Sequence, residues 1–184
     1  LQKNQRLQEP VLTPTTKEAH HDRPISPAEI VAEGWMSEED WAAASTLALK
    51  LYQAGVERAE KHGLILVDTK YEFGRDKEGN IMVVDEIHTP DSSRYWLATN
   101  YQARIAAGLE PENIDKEFVR LWFAKHCAPY NDKVLPQAPR ELIAELSARY
   151  IQLYEMITSQ EFDFSEFDEP AEQRIKRNIS HYLR

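Results

Sequence analysis

The sequence predicts an α+β fold, a helical lobe whose site is carried by a β-hairpin or small antiparallel sheet, and three observations predict it. Apolar residues recur at three- and four-residue spacing from Trp41 to Ala59. Residues 64–74, LILVDTKYEFG, and 81–88 flank the turn-forming stretch RDKEGN, whose Gly79 and Asn80 suit a tight reversal. A second apolar stripe runs through Leu142, Ile143, Leu146, Tyr150, Leu153, Tyr154 and Ile157.

Taken in order, the chain begins at Leu1 on a polar, aperiodic stretch, LQKNQRLQEP, and reads as a segment of a longer protein. Pro10, Pro14, Pro24 and Pro27 punctuate residues 1–36, which are expected to form an extended connecting arm, with the α+β lobe over 37–184. Ser37 with Asp40 three residues on makes a capping box of the weaker kind, and Gly63 supplies a left-handed stop, so a helix fills the interval. Two strands follow, about 64–74 and 81–88, paired as one hairpin. Further helices are expected at 93–107, 115–126, 139–158 and 170–183, with DFSEFDEP at 163–170 as a connecting loop.

A chain of 184 residues with 42% hydrophobic content suffices for one domain, or a domain plus an arm. The net charge of −9 argues against nucleic acid or an anionic membrane surface as partner, since both need a basic field. Any anionic ligand must then be held by a local cationic cluster or a metal. Cys127 is the sole cysteine, so no intramolecular disulfide forms, and a reduced, cytoplasmic setting is expected. No apolar run reaches the roughly 18 residues of a membrane span, and no leader pattern opens the chain. The six histidines show neither HExxH spacing nor a Cys/His quartet, which argues against zinc.

Alternation along LILVDTKYEFG puts Asp68, Lys70 and Glu72 on one face. With Glu78 and Gly79 as loop residues, counting back along both arms sets Glu72 opposite Asp85; a half-residue shift of the centre would separate them. Opposed carboxylates repel, and their offset comes either from Lys70 or, better, from Mg2+, which takes one or two carboxylates and completes its shell with water and phosphate oxygens. The alternative is an exposed hairpin with solvated charges. Beyond Asp85 the chain reads DEIHTPDSSRYW: Asp91, Ser92 and Ser93 are N-cap types ahead of the expected helix, and with Arg94 they would make a phosphate site. An ordinary capped helix with Arg94 exposed is the plainer reading.

At these residues the sequence resembles the phosphoribosylaminoimidazole-succinocarboxamide synthase (SAICAR synthetase) family of purine biosynthesis. LILVDTKYEFG and VVDEIHTPDSSRYW carry the likeness; TPTTK at 13–17 with His21 and Asp22, and DKEFVRLW at 115–122, extend it. The resemblance implies an ATP-dependent ligase joining L-aspartate to carboxyaminoimidazole ribonucleotide, through phosphorylation of the imidazole carboxylate and attack by the amine. It implies Mg2+ on Glu72 and Asp85 with Asp68 as a nearby third carboxylate, Lys70 neutralising a phosphate, and Asp91 on the imidazole nucleotide. Ser93 and Arg94 would serve the 5′-phosphate, with Ser92 beside them as a substrate-binding residue, and Lys17, His21 and Asp22 would border the substrate or aspartate site. The family's N-terminal β-rich, nucleotide-gripping lobe has no counterpart in these residues; the likeness is to the C-terminal lobe and its arm. Partners are then the small substrates and that missing lobe, with further copies of the chain left open. The rival readings are a noncatalytic Mg2+- or nucleotide-binding module without the ATP lobe, and a purely structural domain.

Overall fold

A computed structural model describes residues 2–18 and 22–182. Among them run helices α1 (Pro27–Ala32), α2 (Glu38–Lys61), α3 (Ala98–Ala106), α4 (Glu117–His126), α5 (Arg140–Thr158) and α6 (Ala171–Ile179), and strands β1 (Leu64–Thr69), β2 (Glu72–Arg75), β3 (Ile81–Val84) and β4 (Ser93–Leu97), with a short 3-10 turn at Ser165–Asp168. The fold is α+β, as the residue pattern predicts. No described helix is long and apolar enough to cross a membrane.

Helix α2 starts where expected: the Ser37 hydroxyl accepts from the Asp40 amide at 3.1 Å, and Gly63, at φ 70°, follows its C-terminal end. The arm is less extended than Pro spacing suggests. Ser26 and Glu29 form a reciprocal capping box with Pro27 at the first helical position, so α1 forms inside it. The SPAE stretch was the available signal. Residues on either side of the arm's excursion pair through a Thr15–Pro24 bridge, and Thr16 is buried.

The strands pair differently from the single expected hairpin. β1 pairs antiparallel with β4, and β2 with β3, as two separate two-stranded ladders. Residues 93–97, expected to open a helix, are strand. The physical reason lies in Arg94-Tyr95-Trp96-Leu97, whose aromatic and apolar side chains suit a pleated, buried surface, and Ser93, Tyr95 and Trp96 are all buried there. Only after Leu97 does α3 begin, with no side-chain cap.

The core gathers Ala59 from α2, Leu64 and Leu66 from β1, Tyr95 from β4, Ile114 from the connection ahead of α4 and Leu153 from α5, with Tyr52, Val56 and Ile157 packed against it. A bulge at Val67 interrupts β1, where Leu66 pairs with Tyr95 but Asp68 pairs with Arg94. The Tyr52 hydroxyl lies 3.1 Å from the carbonyl oxygens of both Leu66 and Val67 and satisfies the backbone that the bulge disturbs.

The β2–β3 turn corrects the register. Glu72 faces Val84, not Asp85, and the last pair is Arg75 with Ile81. The Asp76 carboxylate accepts from the Asn80 amide at 2.8 Å and from its side-chain amide at 2.9 Å, while Gly79 takes φ 90°. This closes a three-residue loop with a left-handed glycine, and it moves the centre by half a residue from the two-residue turn.

Candidate functional site

Charged side chains collect on the two connections that join the buried ladder to the outer hairpin, residues 70–71 and 85–92. At the first, the Lys70 ammonium donates to Glu72 Oε1 at 2.6 Å, and Lys17 reaches from the arm to the same oxygen at 2.9 Å. The two hydrogen bonds, that of Lys70 first, hold the Glu72 carboxyl down to about 2. Lys17 is raised in turn, by its bond to Glu72 first and then by that residue's charge, with smaller contributions from Asp22 and Asp85. Asp22 also accepts from the Glu18 amide at 3.0 Å. Lys17, Lys70 and Glu72 therefore form one charge cluster, and the Asp22 and Asp85 carboxylates bear on it through Lys17.

Asp85 is not set opposite Glu72 by the strand pairing, contrary to the expected register. It lies past the end of β3 with φ 67°, so strand alternation no longer dictates its direction. The even spacing of Asp68, Lys70 and Glu72 likewise fails to put them on one face: after the bulge Asp68 stands opposite Arg94, 3.7 Å from its guanidinium, and Lys70 lies between strands. Among the described residues no group of three or more His, Cys, Asp or Glu is placed to hold a metal ion. The three-carboxylate set with Asp68 is thus not assembled.

The second connection is tied by its own polar atoms. The Ser92 hydroxyl accepts from the Thr89 amide at 3.1 Å, the Thr89 hydroxyl in turn accepts from the Ser92 amide at 3.2 Å, and the Glu86 carboxylate accepts a hydrogen bond from the Thr89 hydroxyl. Ser92 and Ser93 therefore cap a turn and enter a strand, and the helix-terminal phosphate cradle expected at them is absent. Ser93 is buried and donates to the Thr69 hydroxyl at 2.8 Å. His21 lies outside the described residues.

Asp91 is the focus of a second cluster that the residue pattern alone did not reveal. Lys116, just ahead of α4, and Tyr150, in α5, both donate to its Oδ1 at 2.9 Å. Lys116 first, and Tyr150 after it, hold the Asp91 carboxyl below the usual range, whereas burial and then Asp91 push the Tyr150 hydroxyl up. Beneath them Asp115 is buried and accepts from the backbone amides of Tyr95 and Glu117, both at 2.7 Å; burial raises its pKa. Lys116 sits in the DKEFVRLW stretch and Tyr150 on the α5 stripe, but their convergence is tertiary.

The SAICAR synthetase family model matches residues 1–137. The chain belongs to the SAICAR synthetase family. It is 67% identical over 183 residues to the phosphoribosylaminoimidazole-succinocarboxamide synthase of Legionella pneumophila (strain Lens), matching along its whole length but spanning 59% of that relative. Its identity to the chloroplastic synthase of Arabidopsis thaliana is 58%, over 44% of that protein's length. Among solved structures, SAICAR synthase from Saccharomyces cerevisiae complexed with SAICAR superposes with a TM-score of 0.66 at 33% identity, covering 86% of this chain and 50% of that one. A SAICAR synthetase in complex with ADP gives 0.66 at 28% identity, covering 89% and 57%. Tyr150 and α5 lie beyond the segment that the SAICAR synthetase model matches.

Proposed function

We propose that this chain is the substrate- and magnesium-binding lobe of an ATP-dependent carbon–nitrogen ligase of purine biosynthesis. The reaction joins L-aspartate to carboxyaminoimidazole ribonucleotide and yields SAICAR, ADP and phosphate. In this reading the arm is residues 1–36, the lobe 37–184, and the lobe that grips ATP is supplied by sequence outside these residues. The observation that carries it is the pairing of two ammonium groups on one carboxylate, Glu72, whose strand partner Val84 immediately precedes Asp85, in a chain 67% identical to a Legionella synthase.

Glu72 and Asp85 suit Mg2+. Both lysines occupy Oε1 of Glu72, leaving Oε2 without a hydrogen bond among the described residues, and the group stays ionised far below neutral pH. Bound there with water and phosphate oxygens, Mg2+ would neutralise charge on the transferring phosphoryl group. Lys70 and Lys17 exchange Glu72 for phosphate oxygens as the anionic substrates arrive, since phosphoryl transfer asks chiefly for positioning and charge neutralisation. The terminal phosphoryl group moves to the imidazole carboxylate and ADP leaves. The aspartate amine then attacks the acyl carbon, phosphate departs, and the amine loses its proton.

Asp91, oriented by Lys116 and Tyr150, contacts the imidazole nucleotide. Arg94 and Ser92 flank its phosphate from strand and loop positions respectively, with Ser93 as support through Thr69. Asp22 borders the site beside Lys17, and His21 is assigned to the same edge by the resemblance alone.

The test is Mg2+-dependent ADP release by the full-length protein with carboxyaminoimidazole ribonucleotide and aspartate. Glu72→Gln and Asp85→Asn should each lower turnover by about 100-fold. Near-normal turnover in both would remove the metal assignment, and no ADP release by the unaltered protein would favour the noncatalytic module.

A further inference from the structure

The loop from Asp85 to Ser92 carries one proposed metal ligand at its start and the nucleotide-facing Asp91 near its end. Midway stands His88, partly buried and in a left-handed conformation, φ 57°, that a non-glycine residue adopts only when its surroundings require it. Three elements hold it. Its Nε2 lies 2.6 Å from the Tyr71 hydroxyl, with the rings edge to face at 5.6 Å. Its carbonyl accepts from the hydroxyl of Tyr95, a residue only 1% exposed, at 2.9 Å. Its ring lies on Gly55 of α2 so closely that a Cβ there would come 2.5 Å from Cε1 and 2.6 Å from Nε2.

Leu66 Cδ2 of β1 shares the socket, 2.8 Å from where that Cβ would lie. A glycine in the middle of a long helix costs about 1 kcal/mol relative to alanine, so a specific close approach is the physical reason to have one. Tyr71 matters equally, because it stands between Lys70 and Glu72 in the chain. The His88 contact therefore joins the connection bearing Lys70 and Glu72 to the loop bearing Asp85 and Asp91, and the Lys70 amide bond to the Ser92 carbonyl at 2.9 Å runs in parallel with it.

We infer that His88 is a positioning residue: seated in the Gly55 socket and bonded to Tyr71, it fixes the spacing of Glu72 and Asp85 and the placement of Asp91. This rests on the proposed role of those carboxylates. Burial lowers the imidazole pKa and so favours the neutral ring, whose unprotonated nitrogen accepts a hydrogen bond from a hydroxyl. None of the groups so tied needs to touch substrate itself; orientation is conveyed through the backbone on either side of the anchor.

The experiment uses the full-length protein with His88→Ala, His88→Gln, which keeps an acceptor, and Gly55→Ala, which fills the socket. Amide hydrogen exchange is followed over 85–92 and over β1, together with the Mg2+ concentration giving half-maximal ADP release. In His88→Ala, exchange over 85–92 should rise by about 10-fold or more while β1 keeps its protection. Half-saturating Mg2+ should rise by about 10-fold and Gln should recover most of the loss; Gly55→Ala should raise exchange over 85–92 as well, and over β1 too because its Cβ also meets Leu66.

Unchanged exchange over 85–92 in His88→Ala would overturn the anchor. In the same variant, exchange rising equally in β1, or an unmoved Mg2+ requirement in a protein whose Glu72→Gln variant shifts it, would overturn the positioning role. Should the unaltered protein release no ADP, the ligase reading fails while the exchange measurement still decides the anchor. If Gly55→Ala does not fold, the Ala and Gln pair at 88 decides alone.

Discussion

β1 and β4 are separated in sequence by the whole β2–β3 hairpin and yet form the buried ladder, whereas β2 and β3 are sequence neighbours and remain at the surface. In the first ladder Leu64, Leu66 and Tyr95 are buried against α2, Ile114 and Leu153, and Trp96 is buried and stacked on Tyr101; in the second, Met82 and Val84 are exposed and the turn is closed by polar atoms of Asp76 and Asn80. The first is held by apolar burial and sets the stability of the lobe. The second is held by local hydrogen bonds, and its strands serve to hand the chain out and back. The ionisable groups proposed to act lie on the two seams between them, where a rigid frame meets an adjustable extension.

The sharpest way to break this contrast is to cut equivalent side chains from both ladders. Leu66→Ala should cost about 3 kcal/mol in urea denaturation, because it removes a fully packed side chain and leaves a cavity. Met82→Ala on the hairpin should stay within about 0.5 kcal/mol. Equal costs would mean that the hairpin shares the core's role. Next in size, Tyr150→Phe removes one of two donors to Asp91 and should raise the KM for the imidazole nucleotide about fivefold with kcat little changed. A change in kcat alone would place Asp91 on the reacting atoms instead. Asp76→Ala, which deletes both turn-closing bonds, should cost about 1 kcal/mol in the same denaturation assay and leave the Tyr95 environment, read by its near-UV signal, unaltered.

The smallest effect is electrostatic. The folded-state pKa of Glu72 is depressed from 4.5 to about 2, so its contribution to stability is complete above the unfolded value and fades as pH falls from 4.5 toward 2. The thermal midpoints of the unaltered protein and Glu72→Gln should differ slightly at pH 6 and converge across that acid window. Because both lysines are largely exposed, 75% and 65%, the gap should shrink in high salt.

What could be read from the residues divides along the same line. Helices α2 and α5 follow from apolar period, and α2 from its Ser37 cap as well, which are local signals. The pairing of β1 with β4 spans the intervening hairpin and has no local signal, and the Asp91-Ser92-Ser93 sequence serves equally as a helix cap or a side-chain-closed turn. Tyr95 and Trp96 were the evidence for strand. Register failed by one residue because the Asp76 side chain, absent from any two-residue turn template, chooses the loop. Of the site, the juxtaposition of Lys70 and Glu72 was legible. Lys17, carried in by the resemblance, gained its partner only through the folded arm, and Lys116, Tyr150 and His88 depend on contacts that no spacing encodes.

Helix α5 supplies Leu153 to the core, Tyr150 to Asp91, and Arg149 to the Asn113 carbonyl and the Phe118 ring, while Arg58 of α2 grips its final turn at the Ile157 carbonyl. A shortened version ending at the family match near residue 137 would lose the buttress behind its own floor. Anyone trimming this protein for crystals, or splicing it onto another scaffold, should keep the stretch through Ser159 intact.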